Sequence, residues 1–372
     1  MRPFSFFILL ILTLPFVAVG KAHPFQVLKV LVGEEGPTSS ISDEKLLVTD
    51  SLGRQFHSGV RVKFRACGTG FFTLNRDPAQ IPGPLRVMSR SKVLRYKNSY
   101  FRGSLELRAL DNHRIRIINY VDLETYLCGL VSSEMPASWP IEALKAQAVA
   151  ARTYALWKIN NSKKSYHLAA TTHDQVYQGA LAEGSNAVKA VLATRGWFMT
   201  HKGIPILAYY HSCCGGRTDS AREVKGITLP YLVGVACPWC ASSPKFHWRL
   251  SLSKADLVSA LSKSGYLVEA IDSIYPIKKT KSGRILELEI VTPQTTFFLT
   301  GEQFRKALGY RKFQSTRFRV TKKGNRFLFT GTGYGHGVGA CQYGMKGMAE
   351  HGYKWRQILK HYYTGVEFRK IK

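Results

Sequence analysis

The sequence has few acidic residues for its length. Its 372 residues include 24 Asp and Glu against 53 Lys and Arg, which gives a formal net charge of +29. An excess of this size predicts an anionic partner. No nucleic-acid-binding motif accompanies the charge, so the sequence does not favour a nucleic acid. Anionic wall polymers, phospholipid headgroups and peptide carboxylates remain the expected partners; the alternative is that the basic residues only solvate the surface.

The sequence also lacks a hydrophobic run long enough for a comfortable membrane span, which takes about 20 residues. The apolar run over residues 4–19 follows Arg2 and ends in the small residues Ala18-Val19-Gly20. This pattern is typical of a signal peptide over residues 1–20. No cysteine comes directly after the run, so we expect no lipoprotein anchor. We predict an exported protein of the periplasm or cell envelope, with an uncleaved membrane anchor as the alternative.

A nucleotide-binding loop is missing as well. Glycines alternate from Gly331 to Gly339 around His336, but no Gly-Lys-Ser/Thr follows them and no βαβ pattern surrounds them. Glycines at alternate positions let the backbone approach a ligand or another strand closely. The two hypotheses for His336 are that it lines a cleft and that it is a structural histidine.

The clearest helix pattern lies in the middle of the chain. Residues 141–157 contain no Gly or Pro and are rich in good helix formers, and Pro140 suits a first helical turn. Small and apolar side chains recur at helical spacing, at Leu144, Ala148, Ala151 and Ala155, so we predict a central buried helix. Glu134 precedes it in a loop containing Pro136, and we expect it to lie at the N-terminal end of this helix.

Seven cysteines, an odd number, cannot all form disulfides within one chain. A Cys-x-x-Cys pair about 20 residues after a His/Cys group is typical of a structural zinc site. We expect His211, Cys214, Cys237 and Cys240 as the ligands, with Cys213 as a spare or substitute. Four protein ligands leave no open position, so a structural zinc ion is expected rather than a catalytic one. The alternative is a disulfide between Cys237 and Cys240.

A polar and aromatic segment, Asp174-Gln175-Val176-Tyr177-Gln178-Gly179, has the composition of a sugar-binding loop. Carboxylate and amide groups bond hydroxyls, and an aromatic ring stacks on a pyranose face. The alternative is a polar turn without a ligand.

Two long motifs resemble the stage II sporulation protein D family, also called the amidase-enhancer family. They are SSEMPASWPIEALKAQAVAARTYALW at residues 132–157 and GTGYGHGVGACQYGMKGMAEHGYKWRQILKHYYTGVE at residues 331–367. The resemblance extends over roughly residues 27–368. One departure is Ala340-Cys341, where the family pattern usually has Met-Ser, and it leaves the Cys341 thiol unexplained.

The resemblance implies a peptidoglycan lytic transglycosylase with Glu134 as its catalytic acid. Such an enzyme cleaves between N-acetylmuramic acid and N-acetylglucosamine and leaves a 1,6-anhydro end, with denuded strands as the expected substrate. Similar proteins carry a metal site close to the cleft. The alternative is a non-catalytic wall-binding protein that assists an amidase. The expected substrate-binding residues are Asp174, Gln175, Tyr177, Gln178, Arg152, His336 and Gln342.

The implied chemistry needs only one carboxyl group, which acts first as an acid and then as a base. Hydrolases of glycosidic bonds normally use two, and Asp174 is the candidate partner. A helix N-terminus would lower the pKa of Glu134 by less than about one unit, whereas burial raises a carboxyl pKa by up to about 3–5 units. The hypothesis therefore requires a partly buried Glu134. The alternative is that Glu134 only caps the helix.

The predicted fold class is α+β: a β-rich chain packed around the helix at residues 141–157, as a single large catalytic domain. We expect a signal peptide at residues 1–20, a β-rich part at 25–120 and the catalytic region at 121–372. The last includes a mixed α/β insertion at 250–318.

Overall fold

The computed structural model describes residues 27–171 and 174–371. The predicted signal peptide lies outside these residues. Within them, no helix combines the length and the apolar content needed to cross a membrane. The architecture is α+β, as predicted, with a large curled sheet beside a group of helices.

The N-terminal part consists of short antiparallel strands, as the alternation of apolar and polar residues predicts. They are β1 (Val27–Glu35), β2 (Thr38–Thr49), β3 (Gln55–Ala66), β4 (Phe71–Leu74), β5 (Ile81–Pro82), β6 (Leu85–Ser89), β7 (Val93–Tyr96), β8 (Ser99–Arg102), β9 (Ser104–Ala109) and β10 (Ile115–Asp122).

Two helices follow β10. Asp122 caps α1 (Leu123–Glu134) by accepting the Glu124 and Thr125 N–H groups. Helix α2 (Ile141–Asn161) begins where Pro140 predicts it. It is buried on nearly its whole circumference rather than along a single stripe, because α1 and later elements pack around it. Its many alanines allow this close packing.

The rest of the main body comes from two segments, one before and one after an inserted module that contains β15 to β20. The first segment comprises β11 (Leu168–Ala169), α3 (Ser185–Ala193), β12 (Trp197–His201), β13 (Ile204–Pro205), β14 (Tyr210–His211) and α4 (Ala221–Lys225). The second comprises β21 (Ala340–Cys341), α7 (Gln342–Glu350), α8 (Trp355–Tyr362) and β22 (Glu367–Lys370). Strand β11 joins the large sheet beside β1. Strands β14 and β21 pair in parallel.

Residues 247–332 form a second module inside this body. Its elements are β15 (His247–Ser253), α5 (Lys254–Lys263), β16 (Ser273–Lys279), β17 (Ile285–Val291), β18 (Thr296–Thr300), α6 (Gly301–Leu308), β19 (Phe318–Lys323) and β20 (Arg326–Thr332). They make two three-stranded sheets around a separate apolar core rich in phenylalanine. The predicted insertion at 250–318 falls within this module.

A buried ion pair joins the module to the main body. Arg284 Nε lies 3.0 Å from Asp219 Oδ2, and Arg284 also donates hydrogen bonds to the carbonyls of Cys214 and Gly335. Since a buried charge without a partner is costly, these contacts fix the module to the loop that carries Cys214.

Candidate active site and thiol cluster

Glu134 is the last residue of α1, and α2 begins only at Ile141. The prediction that Glu134 lies at a helix N-terminus is therefore wrong. At a helix C-terminus the unpaired carbonyl groups disfavour a negative charge, so the dipole raises a carboxyl pKa instead of lowering it. The position suits an acid that must keep its proton.

Three donors surround the Glu134 carboxyl group. Oε1 accepts the Val176 N–H at 2.8 Å and the Tyr210 hydroxyl at 3.2 Å. Oε2 accepts the Gln342 side-chain amide at 3.2 Å. These partners come from three separate segments, so Glu134 is held by tertiary contacts and does not act as a helix N-cap.

Burial raises the pKa of Glu134 above its ordinary value, although the hydrogen bonds from Val176, Gln342 and Tyr210 act in the opposite direction. The side chain is only partly exposed. Glu134 therefore holds its proton more tightly than an ordinary glutamate does. Once the proton has left, the three donors stabilise the carboxylate.

Sequence reasoning missed Tyr210. Its hydroxyl nevertheless contacts the acid directly. Burial raises the pKa of Tyr210 well above its ordinary value, so the hydroxyl remains a donor. Tyr210 directly precedes His211, one of the expected metal ligands. That position is the sequence signal that could have identified Tyr210 as a residue of the site.

His336 holds Tyr210 in place. Its Nδ1 accepts the Val338 N–H at 3.1 Å, which leaves Nε2 to donate to the Tyr210 carbonyl at 3.0 Å. Burial lowers the pKa of His336 well below its ordinary value, so the ring is neutral. The histidine also lines a cavity, described below.

The loop at 174–179 reaches Glu134 through its backbone, by the Val176 N–H, rather than through the predicted side chains. Gln175 is buried and bonds the Tyr126 hydroxyl and the Ala151 carbonyl. Tyr177 is also buried, with its ring centroid 4.6 Å from that of Tyr126. Gln178 is exposed. Of these three side chains, only Gln178 is open to a ligand.

Asp174 and Arg152 serve the interior. The Asp174 carboxylate accepts the Tyr154 hydroxyl and the Ala169 N–H and pairs with Lys158 at 2.6 Å. Arg152 is 0% exposed and makes a bidentate ion pair with Glu124, at 2.7 Å for each bond. Neither arrangement leaves the predicted substrate contact free. Gln342, in contrast, lies beside Glu134.

Four buried thiols form a compact cluster. The sulfur atoms of Cys214, Cys237, Cys240 and Cys341 all lie within 4.8 Å of one another, and no cysteine in the described residues forms a disulfide. Three of these residues are the predicted ligands. Cys341 takes the fourth place, whereas His211 directs Nδ1 to the Val338 carbonyl at 3.2 Å. The cluster thus accounts for the thiol that the family pattern left unexplained.

The donor set fits a zinc ion. Tetrahedral Zn–S bonds of about 2.3 Å place sulfur atoms about 3.8 Å apart, and Cys214 Sγ lies 3.5 Å from Cys240 Sγ. The Cys341 sulfur accepts the Cys214 and Gly344 N–H groups, as a metal-bound thiolate does. Without a cation, contact with Cys237 raises the pKa of Cys214 and burial raises that of Cys341. A divalent cation removes this obstacle to ionisation.

Two family profiles match the chain. One, described as a stage II sporulation protein, matches residues 111–201, which include Glu134. The other, described as a domain of unknown function (DUF8618), matches residues 240–339 and so includes the whole second module.

Several known proteins are similar in sequence. An uncharacterised protein of Brachyspira hyodysenteriae is 39% identical over 69% of this chain and 69% of its own length. The stage II sporulation protein D of Bacillus amyloliquefaciens is 31% identical over 71% of this chain and 78% of its own length. The amidase enhancer of Bacillus subtilis is 31% identical over 64% of this chain, but the match covers only 40% of that protein.

Proposed function

The chain belongs to the stage II sporulation protein D family, and from this premise we propose that it is an exported lytic transglycosylase that cleaves denuded peptidoglycan strands. The observation that carries the proposal is the environment of Glu134: a partly buried carboxyl at a helix C-terminus, with a raised pKa and three hydrogen-bond donors. Asp174, the candidate second carboxylate, is occupied by Tyr154, Lys158 and the Ala169 N–H.

In the proposed reaction, Glu134 gives its proton to the glycosidic oxygen as the bond from that oxygen to the muramic acid C1 breaks. The resulting carboxylate is stabilised by Val176, Tyr210 and Gln342. It then takes the proton of the sugar's 6-hydroxyl as that oxygen bonds to C1. The products are a free 4-hydroxyl and a 1,6-anhydro end, and Glu134 regains its proton without a water molecule being consumed.

The test is a digest of amidase-stripped glycan strands with wild type and with Glu134→Gln, read by mass spectrometry. Anhydro-ended fragments from wild type and none from the variant are expected. Fragments with reducing ends would instead mean a hydrolase and would overturn the transglycosylase assignment.

The second candidate is a glycan-binding protein that assists an amidase without cutting. The name of the Bacillus subtilis relative, an amidase enhancer, favours it. A folded wild type that binds the strands and leaves them intact would support this candidate.

We propose a structural zinc ion at Cys214, Cys237, Cys240 and Cys341. The ion would supply charge neutralisation and a cross-link between segments, with no open position for catalysis. The ion would lie close to the candidate active site, because its ligand Cys341 directly precedes Gln342, which contacts Glu134.

An anionic wall or membrane surface is the proposed partner of the large sheet. Arg61, Lys63 and Arg65 are exposed on one face of β3, and none of them forms an ion pair within the described residues. They face Ser42, Ser40 and Thr38 of β2. A row of free cations beside hydroxyl groups suits phosphate or carboxylate groups. From this basic row and from the signal peptide predicted at residues 1–20, we propose that the protein is located in the periplasm or cell envelope.

A further inference from the structure

The outward face of the sheet β16–β17–β18 in the second module carries an unusual set of side chains. Tyr275 and Phe298 are 52% and 56% exposed, and each lies opposite Glu289 in the strand register. The three residues therefore form one row across the sheet, aromatic–acid–aromatic. Large aromatic side chains left in water on a regular sheet indicate an interaction surface.

A second row on the same face continues this surface. Lys278 and Thr300 lie opposite Glu287, and Glu287 is two residues from Glu289 on β17, so both glutamates point to the same side. Glu287 and Glu289 form no ion pair within the part of the chain that the structure describes. Both carboxylates are therefore available as hydrogen-bond acceptors, and Lys278 is the cation nearest to Glu287 in the strand register.

This second row borders a cavity next to the main body. Lys278, Glu287 and Thr300 line a cavity of about 380 Å³ between the module and the main body. His336 also lines the cavity, and it bonds the carbonyl of Tyr210, whose hydroxyl contacts Glu134. The second row therefore borders a cavity whose opposite side includes the histidine that holds the backbone of Tyr210.

We propose that this face, Tyr275–Glu289–Phe298 with Lys278–Glu287–Thr300, is an accessory site for the glycan strand that extends beyond Glu134. The inference rests on the proposed glycan substrate. Aromatic rings stack on pyranose faces, and carboxylates accept hydrogen bonds from hydroxyl and N-acetyl N–H groups. Each muramic acid of a stripped strand keeps one lactyl carboxylate, and Lys278 is the cation in this set of residues that can pair with it. Glu287 and Glu289 disfavour more densely charged partners, such as a phosphate-rich polymer or an anionic membrane.

The spacing agrees with this occupant. Neighbouring strands lie about 4.7–4.9 Å apart, so Tyr275 and Phe298, separated by one strand, are about 10 Å apart at the backbone. A β-1,4-linked glycan presents the same face of its chain again over a comparable length. The two rings can therefore receive equivalent sugars one disaccharide apart, with Glu289 between them.

The test compares binding of long amidase-stripped strands with binding of a peptidoglycan tetrasaccharide, which has too few sugars to reach both aromatic side chains and also fill a disaccharide position at Glu134. All proteins carry Glu134→Gln, so that cleavage does not interfere. We expect Tyr275→Ser/Phe298→Ser to weaken binding of long strands at least about tenfold, to the level of the tetrasaccharide. The matched control is Leu267→Ser, which removes a 102% exposed apolar side chain elsewhere in the same module and should bind as the parent does.

The results separate this inference from the proposed function. Unchanged binding in the double variant, an equal loss with Leu267→Ser, or a parent that does not prefer long strands would overturn the accessory site. The accessory site would also be overturned if the parent self-associates through this face. In that case the double variant would have a lower mass in solution than the parent. Failure of wild type to form anhydro ends, with binding still dependent on Tyr275 and Phe298, would reject the transglycosylase alone.

Discussion

Cys341 and Gln342 are neighbours in the chain but belong to two different centres. The sulfur of Cys341 lies in the four-thiol cluster, while the amide of Gln342 lies 3.2 Å from Glu134 Oε2. Strand β14, which pairs with β21, repeats this arrangement, because Tyr210 contacts the acid and Cys214 follows shortly after. The thiol cluster therefore holds both side-chain donors that position the acid.

The first prediction concerns removal of the proposed zinc ion. We expect Cys341→Ser, or treatment with a strong chelator, to lower the melting temperature by several degrees and to slow glycan cleavage. The reason is that the segment carrying Gln342 would no longer be cross-linked to the other thiol-bearing segments. Zinc content by mass spectrometry, thermal melts and strand cleavage measure the three effects.

The control for this prediction is Cys67→Ser, since Cys67 lies in the N-terminal sheet region, far along the chain from the cluster. Protein purified without metal, or a Cys341→Ser variant with normal zinc content and activity, would contradict the assignment.

The pH dependence of catalysis should report Glu134. A general acid works while protonated, and burial raises the pKa of Glu134 above its ordinary value of 4.5. We expect kcat/KM to fall as the pH rises through this raised pKa, so the basic limb lies above the range of an exposed glutamate. A basic limb at or below about pH 4.5 would show that Glu134 is not the proton donor.

The same raised pKa links Glu134 to stability. Between the ordinary and the raised pKa the folded protein binds more protons than the unfolded chain, so this contribution to stability is present at low pH and lost as the pH rises. We expect Glu134→Gln to become more stable relative to wild type with increasing pH, since the amide carries no buried charge. Urea unfolding at about pH 4 and pH 8 measures the difference.

Tyr210→Phe tests the donor that sequence reasoning missed. Losing a hydrogen bond to the carboxylate should raise the Glu134 pKa further, because the Tyr210 hydroxyl stabilises the ionised form. We expect the basic limb of the pH–rate profile to move to higher pH and the rate to fall. Tyr353→Phe, at a surface tyrosine, is the control. An unmoved limb would mean that Tyr210 serves only the packing.

Motifs with local signals could be predicted from the sequence. The α+β class, the helix from Ile141 and the family itself are confirmed, because helix formers, strand alternation and long motifs are read from neighbouring residues. Gln342 was expected near the substrate on the same grounds and lies beside Glu134.

Contacts between distant segments could not be predicted in this way. From the sequence alone, Arg152 was expected to bind the substrate. Its side chain is instead buried in an ion pair with Glu124, which lies on another helix. The exchange of His211 for Cys341 in the thiol cluster depends on the parallel pairing of β14 with β21. Helix α1 continues through Gly129 to Glu134, so Glu134 lies at a helix C-terminus, and the dipole effect on it has the opposite sign to the one predicted.

The loop at 174–179 provides the last prediction, because the sequence and the structure give its side chains opposite roles. Tyr177 is enclosed by Tyr126 and Phe101, so Tyr177→Ala should cost about 3–5 kcal/mol of unfolding free energy as a cavity opens in the core. Gln178 is exposed, so Gln178→Ala should leave stability within about 0.5 kcal/mol of wild type. Urea unfolding of both variants decides between the roles. A Tyr177→Ala protein that unfolds like wild type but binds glycan poorly would restore the stacking role that the loop's composition suggests.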